Sequence, residues 1–221
     1  MALAAVLFDV DGTLVDTNPA HIEAWCRACT SFGYDIPPDR IASEVGQGGD
    51  RLVLSVFGPT VAAEHGLALR QSATEEFLTL SRTRTFPLFP GVLELFQALR
   101  SRGIRTGLAT SSTPGQLAAL VPENLADVIV TGAEVENTKP APDLVLKAVA
   151  KLGLTPEVCA YVGDTPYDAQ AARAAGVLPL GLLTGGYPEA VLRAAGACQV
   201  WSDPAALLAD LDALLGVRNE P

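Results

Sequence analysis

Positive charge is scarce in this 221-residue sequence: 15 Lys and Arg stand against 25 Asp and Glu, for a formal net charge of −10. A nucleic-acid surface needs clustered cations to neutralise backbone phosphates, so nucleic acid is set aside as a partner. The same deficit requires any site for a small anion to be locally electropositive, through a bound cation, a lysine or helix N-termini. Histidine is limited to two residues, and of the four cysteines only Cys26 and Cys29 have a C-x-x-C spacing. That pair lies in an apparent helix among apolar neighbours, without a second pair, which favours helix packing over zinc or redox chemistry. Cys159 and Cys198 read as strand residues, and a reducing compartment suits all four. No apolar run approaches the roughly 18 residues of a membrane span, so no membrane partner is expected. The opening residues Met1 to Phe8 are apolar but carry no basic leader, and Asp9 follows too soon for a signal peptide. The expectation is a cytoplasmic protein.

What is present is enough apolar residue for a buried core: 49% of the chain is hydrophobic and 18% charged. The length fits one large domain, or a core domain carrying a smaller insertion. Three segments share a pattern in which an apolar run of strand length stops at a polar residue. They are Leu3 to Phe8 before Asp9, Ile104 to Ala109 before Thr110-Ser111-Ser112, and Val158 to Gly163 before Asp164. Helical stretches are expected over Val92 to Arg102, Leu144 to Leu152 and Ala169 to Ala175. Continuous apolar strands alternating with helices indicate an α/β fold, a parallel sheet covered on both faces. Ligands bind such sheets at the carboxyl ends of the strands, where these polar residues sit.

Residues 17–85 read differently and contain no clear strand. Asn18-Pro19 has the form of a helix start, with Asn as cap and Pro in the first turn. Ile22, Trp25, Cys26, Cys29 and Phe32 follow at helical spacing, and Gly33 ends that helix. Pro37-Pro38-Asp39 begins a short helix, a glycine-rich loop leads into Arg51 to Phe57, and a longer helix runs from about Thr60 to Ser81. This predicts an all-helical unit inserted after the first strand. Connections near residues 15–18 and 84–90 would form a paired hinge.

Asp9-Val10-Asp11-Gly12-Thr13 carries the main chemical signal. Residues two apart in an extended segment point the same way, so both carboxylates face one site, and Gly12 permits a sharp turn. Carboxylates this close repel and call for a cation or a shared proton. A hard divalent ion, magnesium above all, meets that need. With Asp9 held ionised, its free oxygen can attack phosphorus, and Asp11 is placed for proton transfer.

The segment Asp9 to Thr17 resembles the first motif of the haloacid dehalogenase superfamily, and three later segments resemble its other motifs in order. Thr110-Ser111 resembles the second, in which a hydroxyl and a backbone N–H hold the transferring phosphoryl group. Lys139, in Thr138-Lys139-Pro140-Ala141-Pro142-Asp143, resembles the lysine that neutralises nucleophile and phosphate. Gly163-Asp164-Thr165-Pro166-Tyr167-Asp168 resembles the acidic metal site. The resemblance spans essentially the whole chain. It implies a Rossmann-like, doubly wound core at 1–16 and 86–221 with a helical cap at 17–85. It further implies a magnesium-dependent phosphatase acting on small phosphorylated metabolites, with Asp9, Asp11, Thr110 and Lys139 catalytic. Thr110, Ser111 and Lys139 would bind phosphate, and Asp9, Asp11 and Asp164 the metal. Asp168 either meets the metal through water, holds Lys139 or favours its helix N-terminus.

Cap residues choose substrates in this family, and the candidates here are His21, Gln47, Gly48, Gly49 and Arg51. His21 faces either site or solvent. Glycines let backbone N–H groups approach a ligand, and Arg51 is suited to a second anionic group. A β-phosphoglucomutase-like mutase is one alternative, since the His21-to-Trp25 segment resembles those enzymes. They carry a Glu-Asp pair where this chain has Gly163-Asp164, which favours hydrolysis. Carbon–halogen hydrolysis has no need of Asp11 as proton donor. A non-catalytic phosphate-binding module would be expected to lose an essential carboxylate or the lysine, and all are present. A monomer is the expectation, because a mobile cap supplies its own cover.

Overall fold

The apolar run before Asp9 forms strand β1, Ala5–Phe8, with all four side chains buried. The computed structural model describes residues 3–216; residues 1–2 and 217–221 of the expected core lie outside them. Two further strands lie where they are expected, β2 at Arg105–Ala109 and β4 at Cys159–Gly163, each starting a residue later than the apolar run. Three more are not evident in the sequence: β3 at Val128–Val130, β5 at Leu178–Leu182 and β6 at Gln199–Trp201. β3 and β6 are only three residues long, and β5 contains Pro179 and Gly181, two residues that weaken a strand signal. Cys198, read as a strand residue, immediately precedes β6. The six strands pair in parallel in the order β3-β2-β1-β4-β5-β6, a doubly wound arrangement whose direction reverses between β1 and β4.

Alternation along β1 divides the core. Val6 and Phe8 pack on one face, and Ala5 and Leu7 on the other. The first face is covered by three helices that follow the inserted unit or close the chain. The inserted unit comprises α1 at Asn18–Ser31, α2 at Pro38–Ala42 and α3 at Gly49–Thr83. After it come α4 at Val92–Ser101, the short α5 at Pro114–Ala118, α6 at Asp143–Leu152 and α7 at Pro166–Ala174. The chain then adds α8 at Glu189–Ala195, α9 at Pro204–Ala209 and α10 at Leu211–Gly216. Helices α4, α9 and α10 bury Leu95, Leu99, Leu207 and Leu214 with Val6 and Phe8. Helices α6 and α7 bury Leu144, Val145, Ala148 and Ala172 with Ala5, Leu7 and Tyr161.

The inserted helices have their own core of Trp25, Ala28, Cys29, Ile41, Leu52, Val53 and Leu69. Trp25 and Cys29 therefore serve packing. Helix α3 is two helices joined at a kink: Gly58 has φ 79° and ψ 176°, and Pro59 follows. The far end of α3 joins the main core through Phe77 and Leu80.

Two sets of contacts position the insertion over the sheet. The connections are tied to each other, since Val15 bridges Leu88 and the Phe89 N–H donates to the Leu14 carbonyl at 2.8 Å. On the opposite side, the Tyr167 and Tyr187 hydroxyls both donate to the Ser43 carbonyl, at 3.0 and 3.3 Å. Tyr167 also lies 3.3 Å from Glu44 Oε2. Leu99 is fully buried beneath β1 and β2. Replacing it with alanine is expected to cost about 2–5 kcal/mol in urea denaturation, with the cofactor-free protein compared at equal pH.

Candidate active site

Asp9, Thr110 and Asp164 each follow directly on a strand, β1, β2 and β4, at the carboxyl edge where the sheet direction reverses. A cavity of about 310 Å³ opens there. Its sheet-side lining includes Asp9, Asp11, Thr110, Ser111, Ser112 and Lys139; its helical side includes His21, Gln47, Gly49, Asp50, Arg70 and Thr74.

Lys139 is 1% exposed, with Nζ 2.8 Å from both Asp9 Oδ2 and Asp168 Oδ1. Burial alone would strip its proton, but the charges of Asp168 and Asp9 outweigh it and hold the ammonium well above its ordinary pKa. Asp168 is fixed in turn. Its Oδ2 accepts from the Thr165 N–H and hydroxyl at 3.0 and 2.7 Å, closing the capping box that starts α7. The Tyr161 hydroxyl lies 3.2 Å from its Oδ1. Asp168 thus holds Lys139 and caps a helix at once.

Asp9 Oδ1 is buried and has no hydrogen-bond partner among the described residues. Burial, with Asp168, Asp164 and Asp11 nearby, raises the Asp9 pKa well above the carboxylate range despite the opposing charge of Lys139. One oxygen each from Asp9, Asp164 and Asp168 lie within 4.8 Å of one another. Asp164 accepts from the Thr13 hydroxyl at 2.7 Å and from Asn18 Nδ2 at 3.0 Å. Burial first, then the charge of Asp168, pushes its pKa up to about 7. Three clustered carboxylates, all-oxygen donors that repel one another, fit a hard divalent cation such as magnesium. Gly12 makes this arrangement possible. Its φ is +75°, and a Cβ there would lie 2.2 Å from both Asn18 Nδ2 and Asp164 Oδ2.

Asp11 stands outside that carboxylate group. Its Oδ1 meets Thr17 Oγ1 at 2.7 Å and His21 Nε2 at 2.8 Å, while Oδ2 accepts from Ser112 Oγ at 2.5 Å. Its carboxylate, one of the metal ligands expected from the sequence, is engaged by these protein donors. Burial raises its pKa, but the charge and hydrogen bond of His21, with Ser112 and Thr17, bring it well below the usual range. His21 faces the site, its ring stacked on Phe77 at 4.1 Å. Thr110 Oγ1 accepts from the Ser112 N–H at 3.1 Å, and the buried Ser111 hydroxyl has no partner.

Residues 3–176 match the family described as haloacid dehalogenase-like hydrolase. The chain belongs to that family. It is 32% identical over 217 residues to a phosphoglycolate phosphatase of Salmonella paratyphi A, covering 86% of this chain and 85% of that one. The crystal structure of a hydrolase from Pseudomonas syringae superposes with a TM-score of 0.87 at 28% identity, over 96% of this chain and 99% of that one. CbbY from Rhodobacter sphaeroides, solved in complex with phosphate, gives 0.75 at 27% identity, over 95% and 99%. The chain is therefore an enzyme of the haloacid dehalogenase-like hydrolases.

Several residues expected at the site are distributed around it. Gln47 lines the cavity and donates to Glu44 Oε2 at 2.5 Å. Gly48 lies behind the lining, its N–H 3.3 Å from the Lys139 carbonyl. Arg51 is exposed, outside the cavity, and 4.0 Å from Asp50. Asn18, read from the sequence as a helix cap, turns instead to Asp164; the cap of α1 is Thr17, without a side-chain cap bond. Ser112, Thr138 and Arg70 carried no sequence signal of their own: Ser112 and Thr138 become meaningful only through Asp11 and Asp50, far along the chain, and Arg70 only through the cavity it lines.

The raised Asp164 pKa has a consequence for stability. The unfolded carboxyl titrates near about 4, whereas the folded one titrates at about 7. Between those values the folded state holds a proton that the unfolded state has lost, so stability falls as pH rises through this window. In EDTA, thermal melts of the native protein should decline from pH 4.5 to 7.5 more steeply than those of Asp164→Asn, and added magnesium should restore the native protein selectively.

Proposed function

We propose that this enzyme is a magnesium-dependent phosphatase that hydrolyses small phosphorylated metabolites, of the phosphoglycolate or sugar-phosphate class, through an aspartyl phosphate on Asp9. The observation that carries this is the division of labour within Asp9: Oδ2 is anchored 2.8 Å from Lys139, and buried Oδ1 has no partner among the described residues. A nucleophile needs one such free, oriented oxygen.

Asp9 Oδ1 forms a bond to phosphorus as the ester oxygen departs. Thr110, the Ser111 hydroxyl and Lys139 bind the phosphoryl oxygens and carry their charge through the transition state. The leaving oxygen takes a proton from the Asp11–His21 pair, whose heavy atoms lie 2.8 Å apart. Asp11 alone is held anionic, so His21 shares the proton-transfer role. In the second half, Asp11 removes a proton from water, water oxygen bonds to phosphorus, and Asp9 is released with inorganic phosphate. Asp9 and Asp164, with Asp168 adjacent, would hold magnesium, which would supply positive charge to balance the carboxylates and the phosphoryl group.

Residues 17–85 serve as a cap over a core of 1–16 and 86–221, and its docking excludes bulk water from the cavity. Gly163 supports hydrolysis over mutase chemistry, because it leaves no carboxylate where the mutase pattern carries Glu. Asp9→Asn should lower kcat by at least about 1,000-fold while leaving the far-ultraviolet circular dichroism unchanged, and excess EDTA should stop turnover reversibly. Substantial activity in either case sinks the proposal. Detection of an isomerised sugar phosphate in place of inorganic phosphate would assign mutase activity instead.

A further inference from the structure

Two cationic side chains line the cavity, Lys139 and Arg70. Two of the three N–H donors of Lys139 are taken by Asp9 and Asp168 at 2.8 Å each, and the third is left for a transferring phosphoryl oxygen. Arg70 is different. Among the described residues its side chain makes one hydrogen bond, from Nε to the Gly66 carbonyl one turn back in α3 at 3.3 Å, and no carboxylate forms an ion pair with it. The terminal nitrogens of its guanidinium have no hydrogen-bond partner among the described residues, and Arg70 lines both this cavity and an adjoining one of about 370 Å³ beside Asp50, Arg51 and Asn137. In a chain with ten more acidic than basic residues, an arginine without a carboxylate, in a concave and partly buried place, is a strong feature.

The surroundings seat Arg70 rather than merely tolerate it. A Cβ on Gly49 would lie 3.2 and 3.3 Å from Arg70 Cγ and Cδ, and 3.1 Å from the Trp25 ring. Gly49 thus leaves room for the arginine stem to lie against the start of α3. Thr74, one turn further along α3, also lines the cavity, and Thr113 and Gln116 at the start of α5 face it from the sheet side. The phosphoryl-binding groups Thr110, Ser111 and Lys139 come from the sheet edge, whereas Arg70 comes from the inserted helices.

We propose that Arg70 is a specificity-determining residue that binds a second anionic group, a carboxylate or a second phosphate, on the end of the substrate remote from the transferred phosphoryl. This rests on the phosphatase reading above and narrows it to phosphate monoesters with a charged tail. The planar guanidinium offers a two-pronged donor to either oxyanion, and the net negative field of the protein makes such a tail unfavourable anywhere else.

The test compares paired esters on the unmodified enzyme, Arg70→Gln and Gly49→Ala with magnesium. One pair is phosphoglycolate against ethylene glycol monophosphate, and the other is a pentose bisphosphate against the pentose monophosphate. The ratio of kcat/KM within a pair, charged tail over neutral tail, should fall about 30-fold in Arg70→Gln, as expected for loss of a charge-assisted hydrogen bond. Gly49→Ala should lower the same ratio by displacing the stem. Whichever pair shows the drop identifies the tail as carboxylate or phosphate. A ratio within threefold of the unmodified enzyme in both pairs overturns the assignment. If the unmodified enzyme hydrolyses none of these esters, the phosphatase reading fails separately. Calorimetric binding of phosphoglycolate and of the pentose bisphosphate then decides the role of Arg70, and equal affinity of the unmodified and Arg70→Gln proteins for both overturns it.

Discussion

The site depends on the buried ammonium of Lys139, placed between Asp9 and Asp168 at 2.8 Å each. Three carboxylates from β1, the β4 turn and α7 converge behind it within a few ångströms. Without the lysine, burial of that much like charge would force protonation or rearrangement. With it, Asp9 has one anchored and one free oxygen, and Asp168 has both oxygens assigned. The lysine comes from the loop before α6, so a single side chain joins that loop to the end of β1, through Asp9, and to the start of α7, through Asp168.

The carboxylates divide by the company they keep. Asp11 is surrounded by donors, His21, Ser112 and Thr17, and stays ionised. Asp9 and Asp164 are both raised by burial and by the charge of Asp168, and both resist ionisation. Two acids separated in the chain by one valine are therefore in opposite electrostatic states. This suits one to sharing protons with an imidazole and the other to accepting a cation and, in the proposed chemistry, a phosphoryl group.

Much of this was legible in the chain. Strands β1 and β4 announce themselves because they are buried throughout and read as unbroken apolar runs, whereas β2 opens on an exposed Arg105 and a buried Thr106 before Gly107 to Ala109; each is followed by a polar residue at the site. The order of Asp9, Thr110, Lys139 and Asp164 along the sequence indicated the family that the match over residues 3–176 then established. The edge strands β3 and β6 were hidden by their length, and β5 by Pro179 and Gly181. The environment of Asp11 was hidden for another reason. Thr17 and His21 are near it in sequence, but Ser112 lies 101 residues away, and only the pairing of β1 with β2 brings it within reach. Arg51 drew attention because it follows a glycine-rich loop; the helical geometry of α3 turns it outward and brings Arg70, about five turns later, to the cavity.

The tyrosine contacts that hold the inserted helices against the sheet have a bearing on how such enzymes diversify. Tyr167 and Tyr187 both grip the main-chain carbonyl of Ser43. A carbonyl is the same whatever side chain its residue bears. Position 43 can therefore drift without breaking either hydrogen bond, and the face of α3 that lines the cavity can be rewritten without disturbing the clasp. If Arg70 selects the substrate as proposed, the tyrosine clasp and that selectivity rest on different residues and can be altered independently.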